Sequence, residues 1–316
     1  MEKFALVFPG QGSQYTGMGE DLYRQHQSVR DLFALASEIF ETDMASLCFK
    51  GPQELLDLTV NTQISILTVE ITSWLAFSDR VNENPLVMAG HSLGEYSALY
   101  AAGAVELRDC LSLVKKRAQL HQDAVPVGEG AMAAILGLER KDVEEICRNV
   151  TRSKDHIVEL SVENCPGQIV VSGHATAVSE AVAEAERKEG GRGVILPISV
   201  PCHCSLLQAA SEEFAARLEG VDFRDCSLPV IPNCDPSVFH TKTVTKALLT
   251  KQIISPVLWR DTVTRMADMG VDTIVEIGPK RVLSGLIRRI DRRFRLLNVE
   301  DEASLEETSR VLRSGK

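Results

Sequence analysis

An α/β protein, with a mostly parallel, helix-covered sheet and a smaller inserted unit, is expected from three observations. Short apolar runs alternate with helix-length stretches near both ends of the chain, the order that gives parallel strands joined by crossover helices. The first runs stop at glycine, as strands do when they enter a tight turn. Between Gly128 and Val200 the alternation changes to two strands following one helix, which marks a separate unit.

In chain order, Phe4–Phe8 reads as a buried strand ended by Pro9-Gly10. Residues 86–90 repeat that pattern, and a helix follows over 93–102. Another helix is expected over 107–122, where Leu111, Val114, Ala118 and Leu120 or His121 fall near one face. After Pro126 come a strand at 131–136, a helix at 141–150, strands at 157–162 and 168–172, a helix at 175–188 and a strand at 194–199. That βαββαβ order is the ferredoxin-like pattern. The first pattern resumes with a strand at 228–231, helices at 242–254 and 257–269, and the strand Thr273–Ile277, ended by Gly278-Pro279. A further helix and the strand Arg295–Val299 close it. The expected domains are a discontinuous core, residues 1–127 and 200–316, and an insertion, residues 128–199, with a ligand cleft between them.

Composition excludes several classes. The 316 residues hold 34 Lys+Arg against 44 Asp+Glu, a net charge of −10, which opposes general nucleic-acid binding. At 44% hydrophobic and 25% charged, the chain can build a sizeable core. No apolar run reaches the roughly 18 residues of a membrane span, and the opening is too short for a secretory signal. The 8 cysteines include no CxxC pair, so neither a zinc site nor a disulfide framework is expected. A cytoplasmic monomer with reduced thiols, no metal and no cofactor is the expectation.

The strongest chemical signal is Gly90-His91-Ser92-Leu93-Gly94-Glu95. It fits G-x-S-x-G directly after a strand and before a helix, a sharp corner that presents a serine hydroxyl at a helix N-terminus. Free backbone N–H groups and the helix dipole there favour developing negative charge. The bland reading is an ordinary Gly-Ser turn; the strand-to-helix context favours Ser92 as nucleophile. Such a serine needs a base. His91 is its neighbour and is expected to leave the strand on the opposite side. Five downstream histidines remain: His121, His156, His174, His203 and His240. His203 stands out because it lies where the insertion returns to the core. Cys202-His203-Cys204 is a poor metal site, since adjacent residues cannot all reach one tetrahedral ion. The opening turn, Gly10-Gln11-Gly12-Ser13-Gln14, is not a phosphate-binding sequence. It is the early strand-helix loop from which Gln11 N–H, paired with Leu93 N–H, would form an oxyanion hole. Arg117, within Lys115-Lys116-Arg117, reads on its own as part of a solvated helix face.

Together these segments resemble the malonyl-CoA:acyl carrier protein transacylases. The likeness is carried by Val7-Phe8-Pro9-Gly10-Gln11-Gly12-Ser13-Gln14, by the corner extended through Tyr96-Ser97-Ala98-Leu99, and by Val200-Pro201-Cys202-His203. Ala131-Met132-Ala133-Ala134-Ile135, Pro166-Gly167-Gln168 and Glu276-Ile277-Gly278-Pro279 follow in the same order along nearly the whole chain. The resemblance implies an α/β-hydrolase-like core with a ferredoxin-like subdomain. It implies Ser92 as the acylated nucleophile, His203 as its base, and a backbone carbonyl rather than an aspartate orienting the imidazole. It turns Arg117 inward to hold the malonyl carboxylate, with Lys115 or Lys116 left in solvent, and places Gln252 nearby. Asn164 would line the cleft. Cys202 stands where the family usually has serine. Malonyl-CoA and acyl carrier protein are the implied partners, in fatty acid synthesis. A trans-acting acyltransferase of a polyketide synthase and a serine thioesterase are the alternatives. Arg288, Arg289, Arg292 and Arg293 form the densest basic cluster, against the acidity of chain and carrier alike.

Overall fold

The structure, a computed structural model, describes residues 3–126, 128–198 and 200–314. Nine strands are described: β1 (Phe4–Phe8), β2 (Val87–Gly90), β3 (Gly130–Leu136), β4 (Val158–Cys165), β5 (Gln168–His174), β6 (Arg192–Ile195), β7 (Val230–Ile231), β8 (Thr273–Ile277) and β9 (Arg295–Val299). β1, β2 and β8 are buried at every position, as expected of parallel strands covered on both faces. They form the centre of a five-stranded parallel sheet in the order β7-β2-β1-β8-β9.

Period-two alternation divides β1 between two cores. Phe4, Leu6 and Phe8 pack with the helices Gln27–Phe40, Thr59–Arg80 and Leu107–Asp123. Ala5 and Val7 face Trp259, Val263, Met266, Leu283 and Ile287 of the helices Trp259–Asp268 and Val282–Ile290. The small residues on this second side leave room for a bulky tryptophan.

The second sheet is antiparallel, in the order β4-β5-β3-β6, with the helices Arg140–Val150 and Ala175–Arg187 on one face. Its strands and helices follow the ferredoxin-like order expected above. Ala133, Ile135, Val143, Ile146, Val171 and Val178 form its own core. Met132, Val162 and Val170, on the other face, join the apolar cluster of the large sheet instead. Main-chain bonds fasten the two units: Glu163 N–H donates to Val257 C=O and Val257 N–H to Ser161 C=O, each 2.9 Å.

Three expectations need correction. Residues 9–85 carried no expected element, yet they hold five helices, ending in the 22-residue Thr59–Arg80. That helix is buried nearly all round with polar residues interspersed, which hides the stripe a sequence reading relies on. β6 occupies Arg192–Ile195 rather than 194–199; Leu196 N–H keeps a last main-chain bond to Met132 C=O of β3, and Leu196 and Ile198 line a cavity, while Ser199 lies outside the described residues. β7 shrinks to two residues. The expected domain limits fall on Val127 and Ser199, both outside the described residues.

Candidate active site

The corner after β2 is built by close backbone approach. A Cβ on Gly90 would stand 1.8 Å from Gly94 C, and one on Gly94 would stand 2.2 Å from Phe8 O. Only glycine fits either position. Between them Ser92 takes φ 53°, a left-handed conformation that costs any residue with a Cβ. The strain lifts Ser92 out of strand alternation and into a cavity of about 150 Å³.

Ser92 Oγ lies 2.7 Å from His203 Nε2. His203 is 3% exposed, and its Nδ1 lies 2.8 Å from the main-chain oxygen of Gln252. A carbonyl only accepts, so Nδ1 carries the proton and Nε2 is left to accept from Ser92 Oγ. Burial, and next the Arg117 charge, bring the His203 pKa down to about 3. The imidazole is therefore neutral at ordinary pH.

The other candidate histidines are engaged elsewhere. His121 Nδ1 lies 3.6 Å from Cys202 Sγ, His156 faces Glu180, and His174 Nδ1 accepts from Ile157 N–H. His240 is bonded to Glu95. His91 departs from the expectation: it lines the same cavity as Ser92, with Nε2 3.0 Å from Asn164 Oδ1 and its ring edge-on to Trp259. The left-handed turn at Ser92 brings the two neighbours to one side.

Arg117 points inward and is 2% exposed. Lys115 and Lys116, on the same helix, form surface ion pairs with Glu41 and Glu213. The Arg117 Nη1 donates to Gln63 Oε1 at 2.5 Å; Nη2 donates to Ser92 Oγ at 3.1 Å and to Gln252 Oε1 at 3.3 Å. No carboxylate meets this guanidinium among the described residues, and its Nε has no hydrogen-bond partner. A buried cation served only by neutral acceptors is costly, and an anion admitted beside Ser92, whose Oγ the guanidinium already reaches, would relieve it. Gln252 also donates from Nε2 to Ser92 C=O at 3.1 Å.

Gln11 lines the cavity, and Leu93 caps the helix Gly94–Ala101 at its N-terminus. Neither N–H donates to a protein acceptor among the described residues. The geometry thus brings together Ser92, His203, Arg117, Gln252, Gln11 and Leu93. Sequence reasoning missed Gln63, which the unassigned helix Thr59–Arg80 delivers; a glutamine amid Thr62, Ser65 and Thr68 in a buried helix was the available signal.

Fold and corner together define a class, enzymes that carry an acyl group on serine. Residues 5–307 match the family described as acyl transferase domain. The malonyl CoA-acyl carrier protein transacylase of Bacillus subtilis is 41% identical over 97% of this chain and 96% of its own length. The crystal structure of an acyl carrier protein S-malonyltransferase from Vibrio cholerae superposes with a TM-score of 0.93 at 40% identity, covering 97% of this chain and all (100%) of that one. A malonyl-transacylase in complex with its type II polyketide-synthase acyl-carrier protein gives a TM-score of 0.94 at 38% identity, covering 98% of this chain and 100% of that one. The chain belongs to the acyl transferase domain family and, within it, to the malonyl-CoA:acyl carrier protein transacylases.

Proposed function

We propose that this protein moves the malonyl group of malonyl-CoA to the phosphopantetheine thiol of an acyl carrier protein, through a malonyl ester on Ser92. One observation carries the reading: a single hydroxyl oxygen, Ser92 Oγ, lies 2.7 Å from a neutral imidazole and 3.1 Å from a buried guanidinium. His203 Nε2 takes the hydroxyl proton as Oγ attacks the thioester carbonyl. The oxyanion is received by Gln11 and Leu93 N–H, a kind of donor whose loss costs about 2.7–4 kcal/mol of transition-state stabilisation. The C–S bond breaks, and coenzyme A leaves as the thiol with the proton from His203. The carrier thiol then attacks the ester, with its proton passing to His203 and on to Ser92 Oγ.

Arg117 supplies selectivity in this reading. Its two parallel donors match the free carboxylate of malonyl, and Gln252 helps hold the fork. Acetyl-CoA would leave the buried cation unpaired, a larger penalty than a missing methylene. The carrier is that of fatty acid synthesis in the cytoplasm. The likeness to a transacylase crystallised with a polyketide-synthase carrier favours, as a second reading, a carrier of that kind.

Brief exposure to radiolabelled malonyl-CoA, followed by peptide mapping, tests the chemistry. Label is expected on Ser92, discharging to a carrier thiol quickly and to water slowly. Label on another residue, or fast hydrolysis without a carrier, would replace transfer by a different reaction. Discharge onto fatty-acid and polyketide carriers in parallel separates the two carrier readings.

A further inference from the structure

The geometry points to Asn233, backed by Glu95 and His240, as a positioning residue that locks the Ser92 corner in its left-handed conformation; the inference rests on Ser92 being the acylated nucleophile. The Asn233 carboxamide spans the corner. Its Oδ1 accepts from Ser92 N–H and its Nδ2 donates to Gly90 C=O, each at 2.5 Å. A carboxamide offers an acceptor and a donor side by side, which neither aspartate nor leucine of similar size provides. Asn233 is completely buried, so water cannot substitute for either bond.

Asn233 is itself held. Its N–H donates to Glu95 Oε2 at 2.8 Å, and His240 Nε2 donates to Glu95 Oε1 at 2.9 Å. Both the Glu95 and His240 side chains have 0% exposure. His240 Nδ1 faces Thr245 Oγ1 at 3.1 Å, and Thr245 opens the helix Thr245–Ile254. That helix carries Gln252, whose main-chain oxygen orients His203. One run of polar contacts therefore ties the nucleophile's corner to the element that aims its base. Apolar packing generally stabilises a core as well as a buried carboxylate does, so a fully buried Glu95 is better explained by the geometry it fixes.

The test measures the rate of Ser92 acylation at saturating malonyl-CoA, expressed per active site titrated by end-point labelling. Counting active sites removes the contribution of unfolded protein. Asn233→Ala is expected to lower that rate by about tenfold to a hundredfold, the scale of a small misplacement of a reacting atom, with KM for malonyl-CoA nearly unchanged. Glu95→Ala is expected to act in the same direction. Glu95→Gln is expected to restore most of the rate: its oxygen can keep Asn233 N–H while its amide donates to His240 Nε2, the imidazole proton moving to Nδ1 to face Thr245 Oγ1. If the alanine variants yield no active sites, the near-isosteric Glu95→Gln and a Glu95→Asp variant, which shortens the contact, decide by their ranking. Wild-type rates per site in Asn233→Ala, or Glu95→Gln no faster than Glu95→Ala or Glu95→Asp, would overturn the inference. A wild-type protein that takes no label on Ser92 would instead remove the reading beneath it.

Discussion

Ser92, His203 and Arg117 share electrostatics as well as contacts. The positive guanidinium is the second cause, after burial, of the low His203 pKa. Because the imidazole must be neutral to accept a proton, acylation at limiting malonyl-CoA should hold constant down through pH 5 and decline only nearer His203's own value. An acid limb near 6.5, the ordinary histidine value, would contradict the buried environment. A malonyl carboxylate on Arg117 offsets part of its charge, so the limb measured at saturating donor should lie at higher pH than the limb at limiting donor. Identical limbs would show that the carboxylate does not reach Arg117. Arg117→Ala should relax the preference for malonyl over acetyl by roughly tenfold or more, from loss of a charge-assisted pair. Competition between the two labelled donors measures it; unchanged discrimination would take Arg117 out of the site.

At the scale of elements, the strand-to-helix corner is set by what cannot be added to it. Gly94→Ala would press a Cβ against Phe8 O and Pro9 O, the main chain that leads to Gln11. That change should cost about 1–3 kcal/mol of stability and most of the acylation rate. Gly285→Ala makes the contrast: in the helix Val282–Ile290 with nothing within 4 Å, it should stabilise by up to about 1 kcal/mol. Equal denaturation midpoints for the two variants would refute the steric account. The corner was legible in the sequence because backbone approach demands glycine at both flanks. Position within the chain singled out His203. Arg117 was turned inward by the family resemblance, which periodicity permitted; its lysine neighbours argued for solvent. Gln63 left only a faint signal in the sequence and Asn233 none. Each is polar and far in sequence from its partner: the packing of two helices brings Gln63 to Arg117, and the pairing of β7 with β2 brings Asn233 to Ser92.

Across the whole molecule, buried imidazoles make stability depend on pH. Burial lowers the pKa of His91, His121 and His203 alike. In the unfolded chain these groups take up protons below about pH 6.5, whereas the folded chain resists. Their contribution is thus fully present above that pH and is lost as pH falls toward their folded values. Glu70 and Glu276 act oppositely: burial raises both, so their contribution is present in acid and declines as pH rises above the ordinary carboxylate value. Replacing one imidazole isolates its share. The unfolding free energy of His121→Phe should gain on that of wild type by up to about 1.4 kcal/mol per pH unit below 6.5. Parallel curves in chemical denaturation would mean that the folded chain protonates His121 as readily as the unfolded chain does. The acceptor for the His203 ring proton has a different kind of consequence. It is main chain, so no substitution at its own position can delete it, and with His203 kept, inherited variation harms that contact only by displacing the helix that carries it. A mutational survey of position 252 should accordingly find the acid limb of acylation kept across many side chains, while rate and donor choice drift with the lost contacts to Ser92 C=O and Arg117.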